Sequence, residues 1–182
     1  VNDIIDIDRG WERIKKELEL ADESFVTFGL HEDAGLADGA LTVAQVGAYH
    51  EFGTPKVPQR AWHRPTVDEK RPELERAMDE IYYRGIMEGK ISTKRGLAVV
   101  GQMGQQALQD TLRNKRSEWP PLAESTKRRK ARTIKGSKRE KKTAGQRKAE
   151  FISGSGNPLI DTGQLIQSIR YKVVLRYGGV SA

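Results

Sequence analysis

The chain has 182 residues, 36% of them hydrophobic and 31% charged, with no cysteine and a net charge of +7. This length suits one domain with an elaboration, or two small ones, and without cysteine there is no disulfide framework, thiolate metal site or thiol nucleophile. No apolar run approaches the length that crosses a bilayer, and the acidic start Val1-Asn2-Asp3-Ile4-Ile5-Asp6 lacks the cationic region of a signal peptide, so a soluble, non-secreted protein without membrane contact is expected.

The opening Ile/Asp alternation reads as a strand or an extended arm. Trp11, Ile14, Leu18 and Ala21 then recur at helical spacing. Ser24 to Leu30 reads as a strand with Val26, Phe28 and Leu30 on one face, and the glycine- and aspartate-containing stretch from His31 to Gly39 as a loop. Thr42 is a fitting N-cap for a helix that runs through Phe52, where Gly53 supplies a left-handed stop and Pro55 forbids continuation. From Thr54 to Pro65, three prolines and the lack of a period point to an extended segment lying across other structure.

Two long amphipathic helices follow. Leu74, Ala77, Met78, Ile81, Tyr82, Gly85 and Ile86 form one stripe; Leu97, Val100, Gly101, Gly104, Ala107, Leu108, Thr111 and Leu112 form the other. A short connection around Gly89 to Ser92 makes them an expected antiparallel hairpin over 67–115, with Gly101 and Gly104 allowing close backbone approach at about 1 kcal/mol each in helix propensity. Asp161 and Gln164 resemble a capping box for a last short helix with Leu165, Ile166 and Ile169 on its apolar face. The chain closes on strict alternation, with Ile169, Tyr171, Val173, Leu175 and Tyr177 on one side and Arg170, Lys172 and Arg176 on the other, which is a half-buried strand. The expected fold is α+β: a single domain over 1–182 with a small, mainly antiparallel sheet packed by helices, the helical hairpin forming one wall.

Charge is concentrated in one place. Between Thr126 and Glu150 stand twelve Lys or Arg and two Glu, a local balance of +10, so the rest of the chain carries −3. With almost no apolar residue after Ile134, this segment cannot bury enough surface to order itself, and a flexible basic loop over 126–150 is expected. Cations at this density neutralise phosphates without regard to sequence. The candidate DNA contacts are Lys127, Arg128, Arg129, Lys130, Arg132, Lys135, Lys138, Arg139, Lys141 and Lys142. The competing reading is a solvated loop, or one that pairs with an acidic neighbour. Lacking aromatic residues, it has no platform for stacking single-stranded bases.

Catalytic readings find little support. His31, His50 and His63 have no metal-ligand spacing, and Asp6 and Asp8 lack a third carboxylate placed by a motif. The run Ser153-Gly154-Ser155-Gly156-Asn157 lacks the Lys-Ser/Thr ending of a phosphate loop and reads as a linker. No catalytic residue, metal or cofactor is assigned.

One segment invites an interaction role. Ala48-Tyr49-His50-Glu51-Phe52-Gly53-Thr54, followed by Pro58-Gln59-Arg60-Ala61-Trp62-His63-Arg64-Pro65, is a helix stop and then a proline-stiffened arm with an aromatic anchor and arginines. Such an arm loses little entropy on docking, and Trp and Arg are enriched at interface hot spots. The competing reading is a loop that packs Trp62 into its own core.

Four pieces carry a resemblance: the His50-Glu51-Phe52-Gly53-Thr54 turn, the arm from Pro58 to Pro65, the stretch Trp119-Pro120-Pro121-Leu122-Ala123-Glu124-Ser125-Thr126 leading into basic residues, and the segment Leu159-Ile160-Asp161-Thr162-Gly163-Gln164-Leu165 with Ser168-Ile169. Together they resemble the virion-morphogenesis proteins of tailed phages, the small neck, tail-completion and head–tail joining proteins, over roughly 41–67 and 119–173. The chain departs from that pattern at His63, where an apolar residue is common, and in the length of its basic insertion.

The resemblance implies a non-enzymatic α+β subunit, assembled in the host cytoplasm into a sixfold or twelvefold homo-oligomeric ring at the head–tail junction of the virion. Its neighbours there would be connector, head-completion or tail-tube proteins, around packaged DNA. A ring closes through a heterologous interface, for which Phe52, Arg60, Trp62, Arg64 and Pro65 are the candidates. The alternatives are a tail terminator or minor capsid-associated protein, and a non-specific DNA-binding protein acting through its basic segment.

Overall fold

The structure is a computed structural model that describes residues 10–38, 40–114, 119–128, 159, 163–176 and 179–181. The fold is α+β, a mixture of helices with two small sheets. The chain forms two compact units, each assembled from separated segments: Val1–Phe28, Glu69–Gln105 and Arg170–Ala182 in the first, Gly29–Asp68 and Gln106–Ile169 in the second.

In the first unit, α1 (Trp11–Ala21) precedes β1 (Phe25–Leu30), and β1 pairs with the closing strand β4 (Ile169–Leu175), which pairs antiparallel with β5 (Gly179–Ser181). The alternation read from the sequence is borne out in β4, where Val173 is buried and Arg170 exposed. Helix α3 (Arg64–Glu80) passes into a π-helical stretch (Ile81–Met87), and α4 (Thr93–Asn114) returns. Ile81 lies over Gly96 and Gly85 over Ile91, so the two helices run in opposite directions.

The turn between them is tied to α1. Arg13 Nη1 donates to the Ile86 carbonyl at 3.2 Å, while the Glu17 carboxylate accepts from the Thr93 N–H at 2.7 Å. Thr93 Oγ1 donates in turn to the Glu17 carbonyl. A cation thus sits at the carbonyl end of one helix and an anion at the N–H end of the next, as the helix dipoles favour.

Gly101 and Gly104 allow a close approach, but to the sheet rather than to α3. A methyl group at Gly101 would fall 2.6 Å from Val26 Cγ2, and one at Gly104 2.6 Å from the Phe28 ring.

In the second unit, β2 (Leu36–Asp38) and β3 (Leu41–Thr42) form a small antiparallel hairpin that leads into α2 (Val43–Phe52). Thr42 caps this helix: its Oγ1 accepts from Gln45 N–H at 3.2 Å, and Gln45 Oε1 accepts from Thr42 N–H at 2.9 Å. Gly53 ends it at φ 76, ψ 167. The positive φ is as expected, but the extended ψ places it in a region open only to glycine instead of the left-handed helical one.

Three sequence expectations need correction. Helix α3 begins at Arg64, so Pro65 lies in its first turn instead of ending an extended segment, and Pro72 lies inside it. A proline is tolerated in a first turn because the N–H it lacks has no helical acceptor there. Next, the stripe from Leu74 to Ile86 is not one regular α-helix: its last part widens to π geometry, which buries the adjacent residues Gly85 and Ile86 together. Finally, the last short helix starts at Gln164 behind Gly163, which holds a left-handed conformation with no side-chain cap. Gln164 instead donates to the Leu36 carbonyl at 2.8 Å, Ile169 belongs to the strand, and Asp161 lies outside the described residues.

Candidate functional site

The arm joining α2 to α3 is organised around one carboxylate. Glu51, in the last turn of α2, is 8% exposed. Its Oε2 accepts from the backbone N–H of Trp62 and of His63, both at 2.8 Å, and its Oε1 accepts from Arg64 N–H at 3.0 Å. The first intrahelical bond of α3 runs from Val67 N–H to the His63 carbonyl, so these three donors are the ones that precede and open the helix. A helix start leaves such groups without internal partners, and an anion there also meets the positive end of the helix dipole. Glu51 is therefore the cap of α3, supplied from eleven to thirteen residues upstream.

The rest of the arm is stitched at both ends. Trp62 is 3% exposed, and its indole N–H donates to the Gly47 carbonyl at 3.3 Å, at a helix position where an added methyl would displace the tip of the Leu30 side chain. Arg60 is 4% exposed; its Nε donates to the Pro120 carbonyl at 3.0 Å and its Nη2 to the Pro121 carbonyl at 3.2 Å. Trp119 Nε1 returns a bond to the Ala61 carbonyl at 3.1 Å. Thr66 Oγ1 donates to the Trp62 carbonyl at 2.6 Å and pairs with Thr111 Oγ1 at 2.8 Å. The Trp119-Pro120-Pro121 stretch and the arm are thus one structure, a link that spans about sixty residues of sequence.

Between them lies a cleft of about 350 Å³, lined by Gln59, Arg60, Ala61, Pro65, Thr66, Thr111, Trp119 and Pro120. Burial lowers the Arg60 pKa from the ordinary arginine value, although a guanidinium stays charged in proteins. His63 sets its ring edge-on to Trp62 with centroids 5.6 Å apart and packs against Gly29.

The sequence candidates for a subunit contact are therefore divided. Trp62 and Arg60 are buried inside the second unit, and the loop reading that packs Trp62 into its own core is the one observed. Phe52 is 66% exposed, and Arg64 and Pro65 are also exposed. Tyr49, one turn before Phe52 on α2, is 41% exposed and extends that surface. Glu51 and the two threonines went unassigned in the sequence reading, because no local spacing signals bonds to partners this far along the chain.

Of the candidate DNA contacts, Lys127 and Arg128 lie in a helical turn over 124–128, where Lys127 pairs with Glu124 at 2.7 Å and holds the Glu124 pKa below its usual range. Arg129, Lys130, Arg132, Lys135, Lys138, Arg139, Lys141 and Lys142 lie outside the described residues, as do Asp6 and Asp8. Among the described residues, no three His, Cys, Asp or Glu side chains converge as metal ligands, and no helix is long and apolar enough to cross a membrane. Comparison of the chain with family models, curated proteins and solved structures finds no match to any.

Proposed function

We propose that this chain is a structural subunit of a tailed-phage virion that assembles into a homo-oligomeric ring at the head–tail junction. The observation that carries the reading is the exposure of large apolar side chains. Among the described residues, Trp11, Phe25, Leu36, Tyr49, Phe52, Tyr82 and Tyr83 each remain well open to solvent, with four further large apolar side chains. A contiguous exposed apolar patch is the mark of a surface that another protein covers, and Tyr49 and Phe52, one turn apart on α2, form such a pair. The motif-bearing arm supports the same reading indirectly. Its buried residues hold α2, α3 and the Trp119-Pro120-Pro121 stretch together, and so present Phe52, Arg64 and Pro65 at the surface.

A heterologous contact through Tyr49 and Phe52 would let each subunit meet the next and the ring close. The basic segment that follows Thr126 supplies sequence-independent attraction to DNA within such a ring. The alternative of a DNA-binding protein that acts through this segment alone predicts a different solution behaviour. Sedimentation at moderate salt, with and without duplex DNA, separates them. A discrete high-order oligomer that forms without DNA supports the ring; a monomer or dimer whose only assembly is on DNA supports the alternative.

A further inference from the structure

Arg60 is the one described cation that is both buried and bonded by two main-chain carbonyls, and its charge has no counter-ion. Its Nε and Nη2 are occupied by the Pro120 and Pro121 carbonyls, whereas Nη1 has no hydrogen-bond partner and no carboxylate lies within ion-pair distance, among the described residues. A buried charge without an opposite charge is costly, and neutral carbonyls offset that cost only in part. The same side chain lines the cleft, whose other lining residues are Pro65, Trp119, Pro120 and Ala61 with Thr66, Thr111 and Gln59. The guanidinium is held rigid before anything arrives, so a ligand that completes it loses little to ordering the protein.

We propose that this cleft is a docking site for an extended peptide segment of a partner protein, one that carries an aspartate or glutamate carboxylate beside a proline or aliphatic side chain. The carboxylate takes the free edge of the Arg60 guanidinium as a charge-assisted hydrogen bond, and the neighbouring side chain packs on the proline and indole rings. Charge complementarity selects the carboxylate, and the apolar walls select a peptide over a nucleic acid. Backbone binding to DNA needs several cations in a row, and Arg60 is the only cation lining this cleft among the described residues. The identity of the segment's owner as a neighbouring virion protein rests on the assembly reading above; the chemistry of the cleft does not.

The test uses the full chain, labelled with nitrogen-15, and two acetylated and amidated pentapeptides, Ala-Pro-Asp-Leu-Ala and its Asn counterpart. The indole N–H signal of Trp119, identified by its loss in Trp119→Phe, reports on the cleft, and that of the exposed Trp11 serves as the internal control. The aspartate peptide is expected to move the Trp119 signal saturably and the Trp11 signal not at all, with the asparagine peptide at least ~10-fold weaker. Gln59→Glu, which places a competing carboxylate at the exposed lip of the cleft, is expected to abolish the response while the rest of the spectrum stays folded. Equal response to the two peptides, no response to either at millimolar concentration, or undiminished binding by Gln59→Glu would overturn the proposal. So would a Trp119 response to a short DNA duplex in place of the peptide. Because the readout needs no oligomer, failure here leaves the ring reading standing, and a monomeric chain that binds the peptide would do the reverse.

Discussion

Both units solve the same problem, how to start a long helix, and they solve it with a glutamate borrowed from a different helix. In the second unit Glu51 takes three backbone N–H groups at the head of α3 and is almost fully buried. In the first, Glu17 takes one N–H at the head of α4 and is half-buried. The surroundings differ accordingly. Around Glu51 the contacts are polar and directional, a set of bonds from Arg60, Trp62, Thr66 and Trp119 to named carbonyls and hydroxyls. Around α4 in the first unit the contacts depend on shape, glycines that leave room for Val26, Phe28 and Tyr171. A directional network fixes one geometry of the chain and fails sharply when one member is removed, whereas a fitted apolar contact loses stability in proportion to the misfit.

That difference predicts a ranking. Glu51→Ala leaves three backbone donors in a buried place with no acceptor, and should cost about 3–5 kcal/mol, measured as a shift in the urea unfolding midpoint. Gly104→Ala is intermediate. The added methyl would meet the Phe28 ring, an overpacking cost of about 1–3 kcal/mol set against a gain of about 1 kcal/mol in helix propensity, for a net loss near 1 kcal/mol in the same assay. Glu17→Ala should be the mildest, about 1 kcal/mol, because a half-buried N–H can turn to water when its cap is lost. If Glu17→Ala proved as damaging as Glu51→Ala, the contrast drawn between the two caps would not hold. A Gly104→Ala protein more stable than the parent would show that α4 has room against the sheet.

The sequence was legible wherever a signal is local. The cap at Thr42, the stop at Gly53 and the alternation of Ile169 to Leu175 each depend on residues a few positions apart, and each appears in the structure. It was misleading where prolines were read as extended chain. Pro65 lies in α3, whose start is secured by Glu51 instead of by a neighbouring Ser or Asp. The site was half legible. Residue type marked Arg60, Trp62 and Phe52 as special, but whether an aromatic anchor faces inward or outward is decided by contacts with Gly47 and by the distant Trp119-Pro120-Pro121 stretch. Composition and spacing carry no information about those contacts. Arg60 illustrates the limit well: a sequence reading finds a cation on an arm, and only the structure reveals a buried one lining a cleft with no counter-ion among the described residues.

The arm holds its own unit together, whereas the exposed face around Phe52 is the one proposed to join one copy to the next. Sedimentation of Phe52→Glu beside the parent chain at moderate salt, without DNA, tests that separation most directly. The prediction is a discrete high-order oligomer for the parent and a folded monomer for the variant, since Phe52 is two-thirds exposed and its replacement should leave stability within about 0.5 kcal/mol. An oligomer of unchanged mass in Phe52→Glu, or a parent chain that stays monomeric and associates only when DNA is added, would contradict it.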